Sequence, residues 1–354
     1  MVNLDTVHGI NRELVQSQKL VAVFTGGTGG IGPLSLKALA TAVAKHNGQG
    51  LRAYLVGRNA DAAEKIIKEC RAIYEGGEYH YIKVEDLSLV EQVDKACAEI
   101  SSSEERNASA NGETPRIDFL LLSHGGTIFL PRQDTKEGLD GTMSRFYYSR
   151  IAFITSLMPL IFKSSLPAAV VSIYAAGMEG KLYPDDLSLR DLSHYNYSQA
   201  RSHACYMHTL LFEELAKRHQ GKLRVTHIYP GLVVHEGMGN PTNPWWIRIL
   251  FTKVLPFLGV DVDLEESGAR MVSLASPSYY PAQPLDRNGE VSSYAIAGTD
   301  GQYGSGSYML TWNGESCYAA KKYASVDKDA LRQNLWDHTN TALEVIRGGK
   351  VFTE

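Results

Sequence analysis

Residues 20–32 read Leu-Val-Ala-Val-Phe-Thr-Gly-Gly-Thr-Gly-Gly-Ile-Gly. Leu20 to Phe24 form a short apolar run of the kind that a strand buried on both faces has. Thr25 and Gly26 break it, and Gly30 and Gly32 follow four and six residues after Gly26. From Pro33 to Ala40 the apolar residues recur at helical spacing. Strand, glycine turn and helix in that order form the context of a dinucleotide fingerprint. The glycines let the backbone approach a pyrophosphate, whose charge rests on free N–H groups at the helix start. Thr25, Gly26, Thr28, Gly30, Ile31 and Gly32 are the candidate cofactor contacts of this turn.

Working outward, Leu51–Asn59 reads as a second strand ending in Gly57-Arg58-Asn59. A carboxylate there would hold both ribose hydroxyls. Arg58 stands in its place, and a guanidinium can pair with a ribose 2′-phosphate. That favours NADP(H) over NAD(H); the bland alternative is a solvated Arg on a turn. Asn59 joins Arg58 as a candidate contact. Asp61–Tyr74 has helical periodicity, Tyr79–Val84 is a third strand, and Leu89–Ile100 is a further helix. The polar stretch Ser101–Pro115 reads as an exposed loop. Ile117–Leu122, Ala168–Gly177 and Val225–Gly231 supply three more strands with small-residue exits. Alternating β and α segments imply a Rossmann-type, doubly wound parallel sheet of the α/β class.

The pattern Thr-Gly-x-x-x-Gly-x-Gly resembles the short-chain dehydrogenase/reductase family. Thr135-Lys136-Glu137-Gly138-Leu139-Asp140 with Tyr147-Tyr148-Ser149-Arg150 resembles a fungal branch of it, much of which is unassigned or lies in secondary-metabolite pathways. The resemblance implies that Asp86 and Leu87 contact the adenine, that Ser123 and Gly125 lie beside the cofactor, and that Pro230, Gly231 and Val233 border the nicotinamide. It also implies a Tyr acid/base, a Lys that lowers its pKa, a Ser that polarises a carbonyl and an Asn that holds a relay water. Tyr needs such help because its free pKa of about 10 is far from neutral.

Counting back from the helix end places Tyr197 on the Tyr and Arg201 on the Lys. The spacing of four keeps both on one helix face, and Arg201 also takes the Lys role toward the ribose. Tyr195 is the alternative phenol if the helix begins elsewhere. The Ser position falls on Tyr174 or Ala175, the Asn position near Phe146 or Tyr147, and the carboxamide-binding Thr is His235. His124 at the fourth strand end reads as a hydrogen-bonded structural residue. On the Tyr197 helix, His203 is the histidine expected to reach the site and His208 the one expected to pack. The cofactor half of the family pattern is therefore kept and the catalytic half is altered at four positions.

Three functions follow. The first, which we favour, is an NADP(H)-dependent oxidoreductase acting on a carbonyl, hydroxyl, C=C or C=N group of a small organic molecule, with secondary metabolism as its setting. Here Tyr197, Tyr195, Tyr174 or a nearby His donates the proton. The second is a redox-neutral isomerase, dehydratase or cyclase in which Tyr148, Arg150, Tyr174, Arg201 and His203 shape the substrate. The third is a non-catalytic nucleotide-binding partner. The many tyrosines suggest an aromatic pocket for a polycyclic substrate.

The chain of 354 residues has a net charge of −4 and no basic block, which argues against nucleic acid. Its four cysteines, Cys70, Cys97, Cys205 and Cys317, lack C-x-x-C spacing and fit free thiols; no metal site is expected. Met1–Lys19 is too polar for a secretory signal, and no apolar run is long enough to span a membrane, so a soluble, cytoplasmic protein is expected. The organisation expected is one domain: residues 1–19 an arm, 20–275 the cofactor-binding domain with a lid-like segment at about 238–262, and 276–354 an extension packed on it. The apolar stretch Ile247–Val260 is open to three readings: lid, homodimer face or membrane-surface helix.

Overall fold

The computed structural model describes residues 2–126, 129–235, 238, 245–259, 261–282, 295–324 and 326–354. The expected Rossmann-type sheet is present, with seven parallel strands: β1 (Leu20–Thr25), β2 (Leu51–Gly57), β3 (Glu78–Lys83), β4 (Phe119–Leu122), β5 (Ala168–Ile173), β6 (Leu223–Ile228) and β7 (Ser307–Leu310). Their order is β3-β2-β1-β4-β5-β6-β7. Pairing runs Leu20 opposite Leu51, Ala22 opposite Phe119, and Val225 opposite Ser307. The strand order reverses between β1 and β4, and a crevice opens at the carboxyl ends of strands at such a switch point.

The helices, in chain order, are α1 (Leu4–Ser17), α2 (Ile31–Lys45), α3 (Ala60–Ile73), α4 (Val90–Ala110), α5 (Gly141–Met143), α6 (Ser149–Ile161), α7 (Tyr197–Arg218), α8 (Trp245–Ile249), α9 (Leu255–Phe257), α10 (Leu264–Ser273) and α11 (Lys328–Arg347). Alternate strand residues feed two core layers. Leu20, Ala22 and Phe24 pack with Leu36, Leu39, Ile66 and Met271 on one face. Val21 and Val23 pack with Val93, Phe153, Leu210 and Leu335 on the other. The amino-terminal segment is part of the first layer: Ile10 and Leu14 are buried, and the Asn11 amide donates to the carbonyl of Ala269 at 2.9 Å. Residues 307–310 of the carboxyl-terminal stretch close the sheet, so that stretch contributes to the core as well as packing on it.

The polar stretch after Ile100 is a correction: α4 continues through Ala110. Glu104, fully buried, accepts from Arg52 at 3.2 Å and from the Tyr54 hydroxyl at 2.9 Å. Asn107 donates to Tyr54 at 3.2 Å. Polar residues that look like loop composition are here the buried anchors of a helix. They belong to a cluster in which Arg52 also meets Glu78 and Glu113, and Lys19 bonds both. This cluster lies at the amino-terminal edge of the strands, away from the glycine turn.

Candidate active site

Gly26 leaves β1 at φ +69°, and a Cβ on it would lie 2.8 Å from the backbone of His124. A Cβ on Gly32 would lie 2.8 Å from the carbonyl of Gly26. Only glycine fits either place, so the turn folds tightly against the end of β4. Gly30 at φ +67° precedes α2 and has no side chain to cap it, which leaves the first N–H groups of the helix for an incoming anion. The residues present thus fit a dinucleotide pyrophosphate. Thr25 accepts the Ser123 hydroxyl at 2.7 Å through its carbonyl, and Thr28 lies over Gly57 at the end of β2. Arg58, next along, is exposed and has no ion-pair partner among the described residues. Asn59 is committed locally: it caps α3 by accepting from Ala62 at 3.1 Å. Asp86 accepts from the backbone of Ser88 at 2.8 Å, and Leu87 is buried beside it. Gly125 is exposed at the end of β4. After β6, Gly231 turns at φ +73° beside Trp312 and Val262, and Val233 is buried. His235 lies over Gly30, its Nε2 3.3 Å from where a Cβ would stand.

The Asn196 side chain accepts from Gln199 at 2.9 Å and fixes the start of α7 at Tyr197. Tyr197 and Arg201 therefore share one face of its first turns. Tyr197 packs its ring 4.8 Å from Phe129 and 6.3 Å from Phe146. Phe146 in turn lies 4.9 Å from Tyr174, and Trp246 lies 6.5 Å from Phe129. Burial pushes the Tyr197 phenol up, and Arg201 opposes that shift. Arg201 leans on the sulfur of Met178, and its carbonyl accepts the Tyr174 hydroxyl at 3.3 Å. Tyr195 is placed otherwise. It precedes α7, donates to Asp140 at 3.0 Å, and burial raises it to about 12. Asp140 meanwhile caps α5.

A buried polar network lies beneath Tyr174. Arg150 donates to the carbonyls of Leu122, Ile173 and His124 at 3.1, 2.8 and 2.5 Å, and to the Ser172 hydroxyl at 2.7 Å. It ties the ends of β4 and β5 together, and its guanidinium stands 5.5 Å from the Tyr174 ring centre. Its partners are carbonyl and hydroxyl oxygens, and burial lowers it to about 10. His208 donates through Nδ1 to Ala204 at 2.9 Å, which leaves Nε2, 3.1 Å away, to accept from Ser172. It stacks on Tyr174 at 5.2 Å, and His227 stacks on His208 at 5.0 Å. The Ala175 amide donates to His227 at 3.3 Å, and the Cys205 thiol donates to the Ala175 carbonyl at 3.1 Å. The strand exit is thus held by α7 from beneath.

Both helix histidines are fully buried, so His208 packs as expected, and His203 packs as well. His203 faces Tyr183 and accepts its amide at 3.4 Å, while its Nε2 contacts the Leu187 carbonyl at 3.1 Å. His208 is the one that touches Tyr174. His124 is structural, as expected: it bridges Thr25 and Ser149 at 2.6 and 2.9 Å. Tyr148 lies buried on His338 at 2.7 Å, apart from Tyr197. Sequence reasoning missed the role of Arg150 under Tyr174, although a lone charge in the apolar helix α6 is itself a signal. It also missed Phe146 as the residue between two tyrosines; there a π-turn (Ser144–Tyr148) interrupts the helix, and such turns recur at functional sites.

Among the described residues, no group of three or more His, Cys, Asp or Glu side chains is arranged to hold a metal, and no helix is long and apolar enough to cross a membrane. No family profile matches the chain. Curated relatives do. The chain is 36% identical over 350 residues to the short-chain dehydrogenase/reductase SAT2 of Stachybotrys chartarum, covering 98% of each. It is 33% identical to the oxidoreductase AN1596 of Emericella nidulans, covering 97% of this chain and 98% of that one. Among solved structures, the NADPH-dependent 3-quinuclidinone reductase of Rhodotorula rubra matches with a TM-score of 0.54 at 20% identity, covering 86% of this chain and 94% of that one. That likeness bears on the fold, and the fungal relatives on the family. This chain belongs to the short-chain dehydrogenase/reductase family and is an oxidoreductase of that type.

Proposed function

We propose that the protein is an NADP(H)-dependent oxidoreductase that reduces a carbonyl on an apolar, ring-bearing small molecule of the kind made in fungal secondary metabolism, with Tyr197 as proton donor. The observation that carries this reading is Tyr197 itself: half-buried among aromatic rings, on one helix face with Arg201, at the carboxyl edge of the sheet that bears the glycine turn. When bound, NADPH supplies the hydride. The turn from Gly26 to Gly32 and the start of α2 would hold its pyrophosphate, and Arg58 its 2′-phosphate.

This chain's own part is positioning and one proton. Burial keeps the Tyr197 phenol protonated at neutral pH, which suits an acid that delivers a proton to a developing alkoxide. Arg201 limits that upward shift and stabilises the phenolate left behind. The Tyr174 proton is already committed to the Arg201 carbonyl, so Tyr174 serves as a wall of the site. The ring of Phe146, buried between Tyr174 and Tyr197, excludes water on that side, where fixed charges act more strongly. The test is NADPH oxidation over a panel of aromatic and alicyclic ketones. A turnover that falls about a hundredfold or more in Tyr197→Phe is expected; an unchanged rate would remove Tyr197 from the role.

A second reading has one observation behind it. Phe146 packs against both Tyr174 and Tyr197, and it is one of the two residues, with Tyr147, near which the resemblance places the relay Asn. A site without that relay also suits redox-neutral chemistry such as isomerisation, dehydration or cyclisation. Product formation without NADPH consumption would identify it.

A further inference from the structure

The helical run 245–257 inverts the usual arrangement of a surface helix. Amphipathic surface helices bury their apolar stripe and present polar residues to water. Here the exposed positions 245, 246, 249, 253, 254, 257 and 258 recur at helical spacing, and all but one are large and apolar. Trp245 is 71% exposed, Phe257 90% and Leu258 62%. Trp246, Ile249 and Val254 complete the stripe, and neither Leu250–Val254 nor α9 buries any residue. The run is about 20 Å long at 1.5 Å per residue. The remaining member of the stripe is Lys253, and the other charge between 245 and 259 is Arg248; no acid interrupts them.

We propose that this stripe docks the protein on an anionic lipid surface. The charge pattern selects that occupant over a second copy of the chain. A two-fold dimer on this face would set the stripe against itself and bring Lys253 and Arg248 toward their own counterparts, with no acid in the stripe to meet them. A lipid interface accepts every feature at once. Trp rings settle at headgroup level, Phe257 and Leu258 enter the acyl boundary, and the two cations meet anionic headgroups. One member of the stripe leads back to the candidate active site: the Trp246 ring lies 6.5 Å from Phe129, whose ring lies 4.8 Å from Tyr197. Docking would therefore bring the ring cluster around Tyr197 near the lipid, a route of approach for apolar molecules dissolved there. The surface stands on exposure and charge, independently of the reaction assigned to Tyr197.

The test is sedimentation of the full chain with phosphatidylcholine vesicles, with and without about one third phosphatidylserine. Wild-type protein is expected to bind the mixed vesicles, and to bind pure phosphatidylcholine roughly tenfold more weakly. The double variant W245S/F257S is expected to lose binding while its circular dichroism and melting stay those of wild type. K253E is expected to bind pure phosphatidylcholine as wild type does, and to lose only the gain from phosphatidylserine. Sedimentation velocity on the same samples covers the competing occupant. A dimer that W245S/F257S dissociates, in protein that ignores vesicles, would overturn the proposal in favour of self-association. A monomer that ignores both vesicle types would overturn it outright.

Discussion

Arg201 stands where the family resemblance expects a lysine, and its surroundings explain how the replacement is tolerated. The guanidinium rests on Met178 rather than on a carboxylate, so its charge stays available to Tyr197. A lysine would keep the charge but lose the fork that reaches the sulfur. We therefore expect Arg201→Met to lower turnover about tenfold to a hundredfold, by losing phenolate stabilisation, and Arg201→Lys to recover part of it, both read from single-turnover NADPH oxidation. Arg150 acts at one remove. It ties His124, Leu122 and Ile173 together under Tyr174, and removing it would strand several buried carbonyls at about 1–3 kcal/mol each. Arg150→Met is expected to melt well below wild type, and a wild-type melting curve would show that the network carries no load. Tyr197 was one of two candidate phenols in the sequence, by its spacing from Arg201, and it is the Asn196 cap in the structure that makes it the first residue of α7. The buried network was not legible, because its members lie on separate elements, and only the fold brings Arg150, Ser172, His208 and His227 together.

At the scale of elements, β1, β4, β5 and the glycine turn could be read almost residue by residue, since burial on both faces writes itself as a nearly unbroken apolar run. Helix α4 could not. Its last turns carry Ser, Glu and Asn, whose composition signals a loop, and what makes them helical is contact with β2 through Glu104 and Arg52. Breaking one side of a fully buried ion pair typically costs about 3–5 kcal/mol. Glu104→Gln should therefore lower the urea midpoint substantially and expose the amides of residues 104–110 to hydrogen exchange. Unchanged exchange there would mean the helix holds without its anchor. Helix α7 illustrates the reverse case: one side chain, Asn196, sets its start and so makes Tyr197, rather than Tyr195, its first residue.

Across the whole molecule, histidines that the fold keeps neutral set the response to acid. Burial lowers His203 and His338 to about 4 and His208 to about 3, with Arg150 adding to the shift on His208. Burial and then Arg150 hold His124 well below its ordinary value, as burial, His208 and Arg150 do for His227. Unfolded histidines titrate near pH 6.5, so below that value the unfolded chain takes up protons that the native state refuses. Stability is full above about pH 6.5 and is lost as the pH falls toward the folded values, at about 1.4 kcal/mol per unit for each histidine engaged. Calorimetry between pH 7 and 5 should show a fall steeper than one proton accounts for; a flat melting temperature over that range would contradict the assignment. At the same scale, the seventh strand and α1 show that both ends of the chain complete the core, a long-range fact that local periodicity does not carry. The central claim, that the glycine turn and Arg58 hold a phosphorylated dinucleotide, is tested most directly by fluorescence titration of the purified protein with NADPH and NADH. We predict that NADPH binds more tightly, and that Arg58→Ala weakens NADPH about tenfold or more while leaving NADH unchanged, as expected for the loss of a charge-assisted contact. Equal binding of both nucleotides, or none of either, would contradict it.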